Sequence, residues 1–549
     1  MKKIFVIGTL LLAFACCFYA CKKDLGNYDY SDANVITIKT DMVTNDPNMV
    51  VTADSVVLRQ NDSIRVNILV SQTKPSSDLS YTWMVVQANS TLGNPSQTVI
   101  GNTQNLRAKI TMVPYLYKLV VGVKDNGTGI TYYKYFALNV TTAPWGDEGW
   151  VILQNQPGQN GADISVITTA AGTTQAPVYS NVYALTNNGK KLPLGTYKVN
   201  VLDYNTSLRL QKVSFFYPNG GLEVKAIDFT DSSIHSSWFM VQPSTYNLQT
   251  NGVVNTGQYE YQINNDQLYG RRVNATSIKT PPIKFGAPIL GTWTLSPYLI
   301  NNLSSENYYT LYDKANRCFL LYNMELGTLV PTNRTDVANS HFVPYAGGAA
   351  ALDPINGSGF DMNNIRHNLL YAENVQPYSA STTFDCFFRN NAGDSTWVYQ
   401  FNAGLTYANN FTSGRYLLTD AKVPGINKAS LFACPTHLSN PGKFYYANSN
   451  NIYVCTVASL ANSTAAVGYS FPAGTVVKAM KVLKSGYATI PTYESRVLVV
   501  ATDETASGGG HKVYFLTLNA SGLINSTPSS VYGGFDSITD IAFKKTPGI

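Results

Sequence analysis

The sequence predicts an all-β protein: an N-terminal immunoglobulin-like β-sandwich followed by a seven-bladed β-propeller. Three observations carry this. Residues 35–142 read as a series of short alternating strands, and a strand–turn–strand pattern then recurs seven times from Trp150 onward. Tyr (37) and Gly (41) are abundant while Met is 9, a balance that favours strands and turns over helices.

The bulk numbers narrow the class. The 549 residues are 44% hydrophobic and 13% charged, well below the roughly 25% charge of an average globular chain. The length suggests two to four domains, or one small and one large. A mean hydropathy of −0.08 is too polar for a multi-span membrane protein. The formal charge is +6, of which Lys2 and Lys3 supply two; so small an excess predicts no nucleic-acid partner.

Residues 1–20 read as a lipoprotein signal peptide. Lys2 and Lys3 give a basic start, and Ile4 to Ala20 is apolar. The segment ends in Phe18-Tyr19-Ala20-Cys21, which resembles a lipobox with Cys21 as the lipid-attachment residue. Ala13-Phe14-Ala15-Cys16 is a rival site that would cut the apolar core short, and an ordinary secretory signal is the plainer alternative. A lipidated Cys21 would anchor an otherwise soluble chain to a membrane by its acyl chains. Residues 21–34 are polar and form a tether.

Residues 35–142 hold the sandwich. Its expected strands are Val35–Lys39, Ser63–Val70, Leu79–Gln87, Thr98–Ile110, Tyr117–Lys124 and Ile130–Val140. Ile64-Arg65-Val66-Asn67-Ile68 shows the period-two pattern of a half-buried strand. Asp125-Asn126-Gly127 is a turn between two such runs. Tyr81-x-Trp83 predicts that Trp83 fills the core between the sheets.

Thr141-Thr142-Ala143-Pro144 marks a boundary, and residues 143–549 hold the propeller. The seven hairpins centre on Trp150–Leu153, Ser214–Tyr217, Tyr259–Ile263, Tyr308–Tyr312, Phe384–Phe388, Phe444–Tyr446 and Arg496–Val500, each turning into a second strand. They start roughly 45 to 75 residues apart, near the spacing of propeller repeats with insertions. A lone hairpin cannot bury its apolar face, but blades packed around an axis can. A stack of β-sandwich domains is the alternative and would space the copies less evenly. Val477-x-x-Met480-x-Val482 and Ile538-x-x-Ile541-x-Phe543 share a frame. The second has no hairpin after it, and the Trp150 hairpin has no such strand before it, so a ring would close if the second completed the first blade. Chance similarity of two β-prone segments is the plainer account.

No catalytic motif appears. Zinc-protease, P-loop and nucleophile-elbow patterns are absent, and EF-hand spacing is absent too. Cys318, Cys386, Cys434 and Cys455 lack ligand spacing, which predicts no zinc and leaves disulfides or buried free thiols equally open. His235, His341, His367, His437 and His511 are scattered. Asp147-Glu148 is an adjacent acidic pair, but neighbours on a strand point to opposite faces, so it reads as a solvated linker charge and not as a glycosidase pair. Tyr132-Tyr133, Tyr308-Tyr309 and Tyr445-Tyr446 place a ring on each face of a strand. Outward rings could stack on sugars or peptide side chains; packing between blades is the commoner use. No catalytic, metal or cofactor residue is assigned, and no ligand-binding residue can be singled out.

Cys21-Lys22-Lys23-Asp24-Leu25-Gly26-Asn27-Tyr28-Asp29-Tyr30 followed by Tyr81-x-Trp83 resembles the PKD-like lipoprotein family of gut-type Gram-negative bacteria. Tyr259-Glu260-Tyr261-x-Ile263-Asn264-Asn265-x-x-Leu268-Tyr269 and Phe285-Gly286-Ala287-Pro288 also resemble its later region. The resemblance implies a PKD-like sandwich on an outer-membrane lipoprotein that faces outward. It also implies association with a starch-utilisation-type uptake system, whose TonB-dependent channel carries a substrate-binding lid lipoprotein. The function expected is non-enzymatic: an accessory that helps capture oligopeptides or glycans for import. A propeller glycan lyase or hydrolase, or a purely structural subunit, are the alternatives. Carboxylates or histidines clustered at one mouth of the ring would favour an enzyme, and a mouth of Tyr, Asn and backbone groups would favour binding.

Overall fold

A computed structural model describes residues 33–547, apart from 42–48, 76–77, 89–96, 206–209, 255–258, 274–282, 290–292, 301–307, 324–341, 345–359, 361, 363, 376–381, 404–410, 437–441, 459–460 and 488. The chain divides into two compact units, one ending at Thr141 and the other beginning at Thr142.

The first unit is a two-sheet sandwich. One sheet orders Ile36–Asp41, Ser63–Gln72 and Leu106–Lys109. The other orders Met49–Val51, Ser55–Arg59, Thr131–Thr141, Tyr115–Asp125, Leu79–Gln87 and Thr98–Gly101. Alternation in Ser63–Gln72 sends Ile64, Val66 and Ile68 inward and leaves Arg65 outside. Trp83 is fully buried as expected, its ring 6.1 Å from Phe136 and its indole N–H donating to the Thr103 carbonyl at 2.9 Å. Two expectations need correction. The expected strand Thr98–Ile110 is two strands in different sheets, because residues 102–105 turn the chain from one layer to the other. Met49–Val51 and Ser55–Arg59 were not foreseen; they are short, and Ser55–Arg59 joins the sheet by pairing parallel with Ala137–Thr141.

The second unit contains, among the described residues, seven antiparallel sheets. Each is built on one of the seven hairpins expected from sequence. The turns explain the local folding. Asn265 and Asp266 both have positive φ (49° and 61°), the backbone of a type I′ turn, and they join Asn264 to Gln267. The burial pattern changes character here. Gly149–Gln156 and Gly161–Ile167 are buried at nearly every position, without alternation. A strand inside a blade has a neighbouring blade on each face, so both sets of side chains are buried, the polar Gln154, Asp163 and Ser165 included.

Among the described residues, apolar interfaces join each of these sheets to the next and the last to the first. Blade 1 (Gly149–Gln156, Gly161–Ile167, Val178–Tyr179 and Ser537–Lys544) meets blade 2 (Lys198–Asn205, Leu210–Tyr217, Gly220–Lys225, Asp231–Ile234) through Val151, Ile164, Val199 and Phe215. Blade 3 (Leu248–Val254, Tyr259–Asn264, Gln267–Arg272) packs on blade 2 through Phe216, Trp238, Leu248 and Tyr269. Blade 4 (Tyr308–Asp313, Cys318–Asn323, Phe342–Pro344) meets blade 3 through Ile263 and Leu311. Blade 5 (Asn368–Asn374, Thr382–Arg389, Thr396–Ala403, Phe411–Leu418) meets blade 4 through Tyr312, Phe319 and Phe388. Blade 6 (Phe432–Ala433, Lys443–Asn448, Asn451–Thr456, Thr464–Ser470) stacks Phe432 on Phe387 of blade 5 at 4.4 Å. Blade 7 (Val476–Val482, Val497–Asp503, His511–Thr517, Ser530–Phe535) meets blade 6 through Tyr445 and Tyr514. It meets blade 1 through Phe515 and Trp150. This is the arrangement of a β-propeller.

Closure follows the shared sequence frame. Ser537–Lys544 pairs with Gly149–Asn155 and completes blade 1, as Val476–Val482 does for blade 7. Gly149 begins the blade because a Cβ there would sit 2.3 Å from the Ile167 carbonyl oxygen. Blades 2 and 3 share a buried charged network. Arg271 donates to Glu223 at 2.5 Å and to Glu260 at 2.6 Å, and Tyr204 donates to Glu260 at 2.6 Å. Burial opposes the Glu223 charge, but Arg271 and Lys212 outweigh it and hold the carboxyl down at about 2.

Candidate functional site

Antiparallel blades place their first strands side by side around the ring axis. A cavity of about 450 Å³ lies among these strands, within the range of small-ligand sites. Its walls come from Val199–Asp203 of blade 2, Asn251–Val253 of blade 3, Tyr371 and Glu373 of blade 5, Lys481, Val482 and Lys484 of blade 7, and Ala542 and Phe543 of blade 1. It is therefore an axial channel.

Its polar groups interlock across blades. Lys484 donates to Glu373 at 2.6 Å and to the Asn374 carbonyl at 2.6 Å. The second Glu373 oxygen accepts from the Tyr371 hydroxyl and the Cys434 backbone N–H, both at 2.8 Å. Burial and the Glu373 carboxylate push Tyr371 well above its ordinary pKa, so it stays a hydrogen-bond donor. Lys545 donates to Asp203 and to the Gly486 carbonyl. Asn200 donates to Asn251 at 2.8 Å, and Asn251 donates to Ser214 at 3.0 Å. Lys481 lies 3.4 Å from Asp540, whose oxygens also accept from the Val199 and Ile541 backbone N–H groups. Lys198 donates to the Gln249 carbonyl at 2.9 Å. Burial lowers its pKa to about 8, with Lys481 acting in the same direction and Asp540 against it.

The residues singled out from sequence lie elsewhere. His235 sits beside Tyr217 and Tyr246 in blade 2. His367 stacks on Trp397 at 4.0 Å in blade 5, and burial lowers its pKa to about 4. His511 faces Asp503 in blade 7. His341, His437 and Cys21 fall outside the described residues. Asp147 is exposed, as a linker charge would be. Glu148 is not: it accepts hydrogen bonds from Tyr487 at 2.8 Å and Tyr493 at 3.1 Å, because the chain entering blade 1 passes beside the connection between the first two strands of blade 7. Tyr445 and Tyr446 are both buried, one in each blade interface. Tyr133 is 46% exposed, while Tyr132 donates to the Asn34 carbonyl. Cys318, Cys386, Cys434 and Cys455 are all buried, and none of them forms a disulfide. Among the described residues, no group of three or more His, Cys, Asp or Glu could hold a metal ion. The channel lysines escaped sequence reading. The inner strand of blade 7 was marked by its apolar frame, and Lys481 sits within that frame.

Among solved structures, the chain is similar to a quinonprotein alcohol dehydrogenase-like protein from Bacteroides thetaiotaomicron VPI-5482. Identity is 12% over 92% of this chain and 99% of that one, with a TM-score of 0.43. Apo AztD from Citrobacter koseri is 10% identical over 85% of this chain and 98% of that one, with a TM-score of 0.31. The dihydro-heme d1 dehydrogenase NirN is 9% identical over 84% and 74%, with a TM-score of 0.35. No curated protein matches the chain. Residues 21–194 match the PKD-like family, which takes in the whole sandwich and the first hairpin of blade 1.

Proposed function

We propose that this protein is a non-enzymatic surface lipoprotein of the outer membrane. It would help a TonB-dependent channel and its lid lipoprotein capture oligopeptides or glycans, with the axial channel as the ligand site. The lipobox-like run ending at Cys21 and the PKD-like match over residues 21–194 support the anchored, accessory reading.

The observation that carries the binding role is the state of the channel's polar groups. Glu373 is committed to Lys484, Tyr371 and a backbone N–H, and Asp203 is committed to Lys545. Asn200, Asn251 and Tyr371 complete a wall of amide and hydroxyl groups suited to recognition. His235, His367 and His511 lie away from it.

The test is to purify the protein from gently solubilised outer membrane and identify its companions by mass spectrometry. Recovery with a TonB-dependent channel and its lid is expected. Recovery alone would overturn the importer role. Turnover of glycans or peptides by the purified protein would replace the binding role with a lyase or hydrolase.

A further inference from the structure

We propose that the outer face of the larger sandwich sheet binds a linear acidic polysaccharide, with sugar rings stacked on Tyr133 and Tyr135 and carboxylates met by Lys118 and Lys124. This site lies in the first unit and does not depend on the axial channel.

The face follows from strand alternation. Leu119, Val121, Phe136 and Leu138 point into the sandwich core. Their neighbours Lys118, Gly122, Tyr133 and Tyr135 therefore stand on the other side of the sheet. Ladder pairing sets Tyr133 opposite Gly122 and Tyr135 opposite Val120. A Cβ at Gly122 would lie 3.0 Å from Tyr133 Cε1, so the tyrosine ring leans across bare backbone of the next strand. Tyr133 is 46% and Tyr135 49% exposed, and their ring centroids are 6.5 Å apart.

The neighbouring strand puts a lysine at each end of this pair. Lys118 lies opposite Ala137 and Lys124 opposite Thr131, about 20 Å apart along the strand. No Asp or Glu occupies an outward position of Leu79–Gln87, Tyr115–Asp125 or Thr131–Thr141. Among the described residues, neither lysine has an ion-pair partner and neither tyrosine hydroxyl has a hydrogen-bond partner. The row therefore reads lysine, ring, ring, lysine. Exposed ring faces with free hydroxyls suit the C–H faces and hydroxyls of sugars. A neutral glycan would leave both lysines unmatched, and a chain of uronic acids matches rings and lysines together.

Calorimetry on the detergent-solubilised full chain tests this with hexa-galacturonate, neutral maltohexaose and a short oligothymidylate as probes. Hexa-galacturonate should bind, and the other two at least tenfold more weakly. Tyr133→Ala with Tyr135→Ala should weaken hexa-galacturonate at least tenfold, while Tyr133→Phe with Tyr135→Phe, which keeps the rings, should retain most of the binding. Lys118→Gln with Lys124→Gln should weaken it several-fold and flatten its dependence on salt, because exposed charge pairs are weak and screened. Thermal melting checks that each variant folds, and if the Ala pair does not, the Gln pair decides. Failure of hexa-galacturonate to bind would overturn the proposal. So would equal binding of maltohexaose, or equal binding of the oligothymidylate, which would mark a general polyanion surface. Binding unchanged in both the Ala and the Gln pairs would belong to another site and would overturn it too. None of these substitutions touches the axial channel, so the channel reading stands or falls separately.

Discussion

The Lys544 ammonium donates to the Asp147 carbonyl at 2.7 Å, joining two residues 397 positions apart. It also donates to the Gly146 carbonyl. The strand Ser537–Lys544 is thus pinned beside the segment that leads into blade 1 by a buried charge as well as by its ladder of hydrogen bonds.

This lysine makes stability depend on pH. Burial lowers its pKa to about 7, against the opposing pull of Asp147 and Glu148. In the unfolded chain the group keeps its ordinary value of 10.5. Between these values the unfolded state binds more protons than the folded one, so this group's contribution to stability rises as pH rises from 7 to 10. The melting temperature of Lys544→Met should show a smaller rise over that interval than wild type. An identical rise in both proteins would assign the dependence to other groups.

The network between blades 2 and 3 predicts a second effect. Removing Arg271 leaves Glu223 and Glu260 buried without their shared cation. Arg271→Met should cost about 3–5 kcal/mol. Adding Glu223→Gln and Glu260→Gln should recover part of it, because the uncompensated charge causes most of the loss. Denaturant titration of the single and triple variants measures both.

Gly149 gives a third prediction. A Cβ at this position meets the Ile167 carbonyl oxygen and the Thr168 backbone at 2.3 and 3.1 Å. Backbone cannot swing aside as a side chain can, so Gly149→Ala should lose about 1–3 kcal/mol. Gly158→Ala, where nothing lies within 4 Å, is the control and should melt close to wild type.

Thiol counting gives a fourth. Cys318, Cys386, Cys434 and Cys455 are buried thiols outside any disulfide, and burial raises the thiol pKa of Cys386 and Cys434 well above its usual range. The native protein should resist a thiol reagent at these positions and react at all four once denatured. If Cys21 is lipidated as proposed, cleavage before it would remove Cys16 and Cys17 and block the third N-terminal thiol. Seven reactive thiols in the denatured protein would show an unprocessed N-terminus.

Sequence made much of this architecture legible, and for a physical reason. Hairpins are local: Asn-rich turns such as Asn264-Asn265-Asp266 and the flanking apolar runs lie within a few residues of each other. The closing strand was legible because Ile538, Ile541 and Phe543 repeat a frame seen in blade 7. Met49–Val51 was hidden because three residues carry no period. The channel was hidden because Asp203, Glu373 and Lys481 come from three blades and only meet around the axis. Their spacing in sequence reflects blade length and not chemistry. Glu148 was misread for the same reason, since its tyrosine partners lie 339 and 345 residues away.

The way blade 1 is completed has a consequence for biogenesis. Gly149–Gln156 emerges early and must wait for Ser537–Lys544, with the other six blades made in between. Until then one side of blade 1 presents unpaired backbone groups, a template for pairing with another chain. Folding that ends on so distant a contact is slow compared with hairpin formation. The chain thus spends its most vulnerable interval between synthesis of Gly149–Gln156 and arrival of Ser537–Lys544. A chaperone that shields an open strand edge would raise its yield more than one that shields apolar patches.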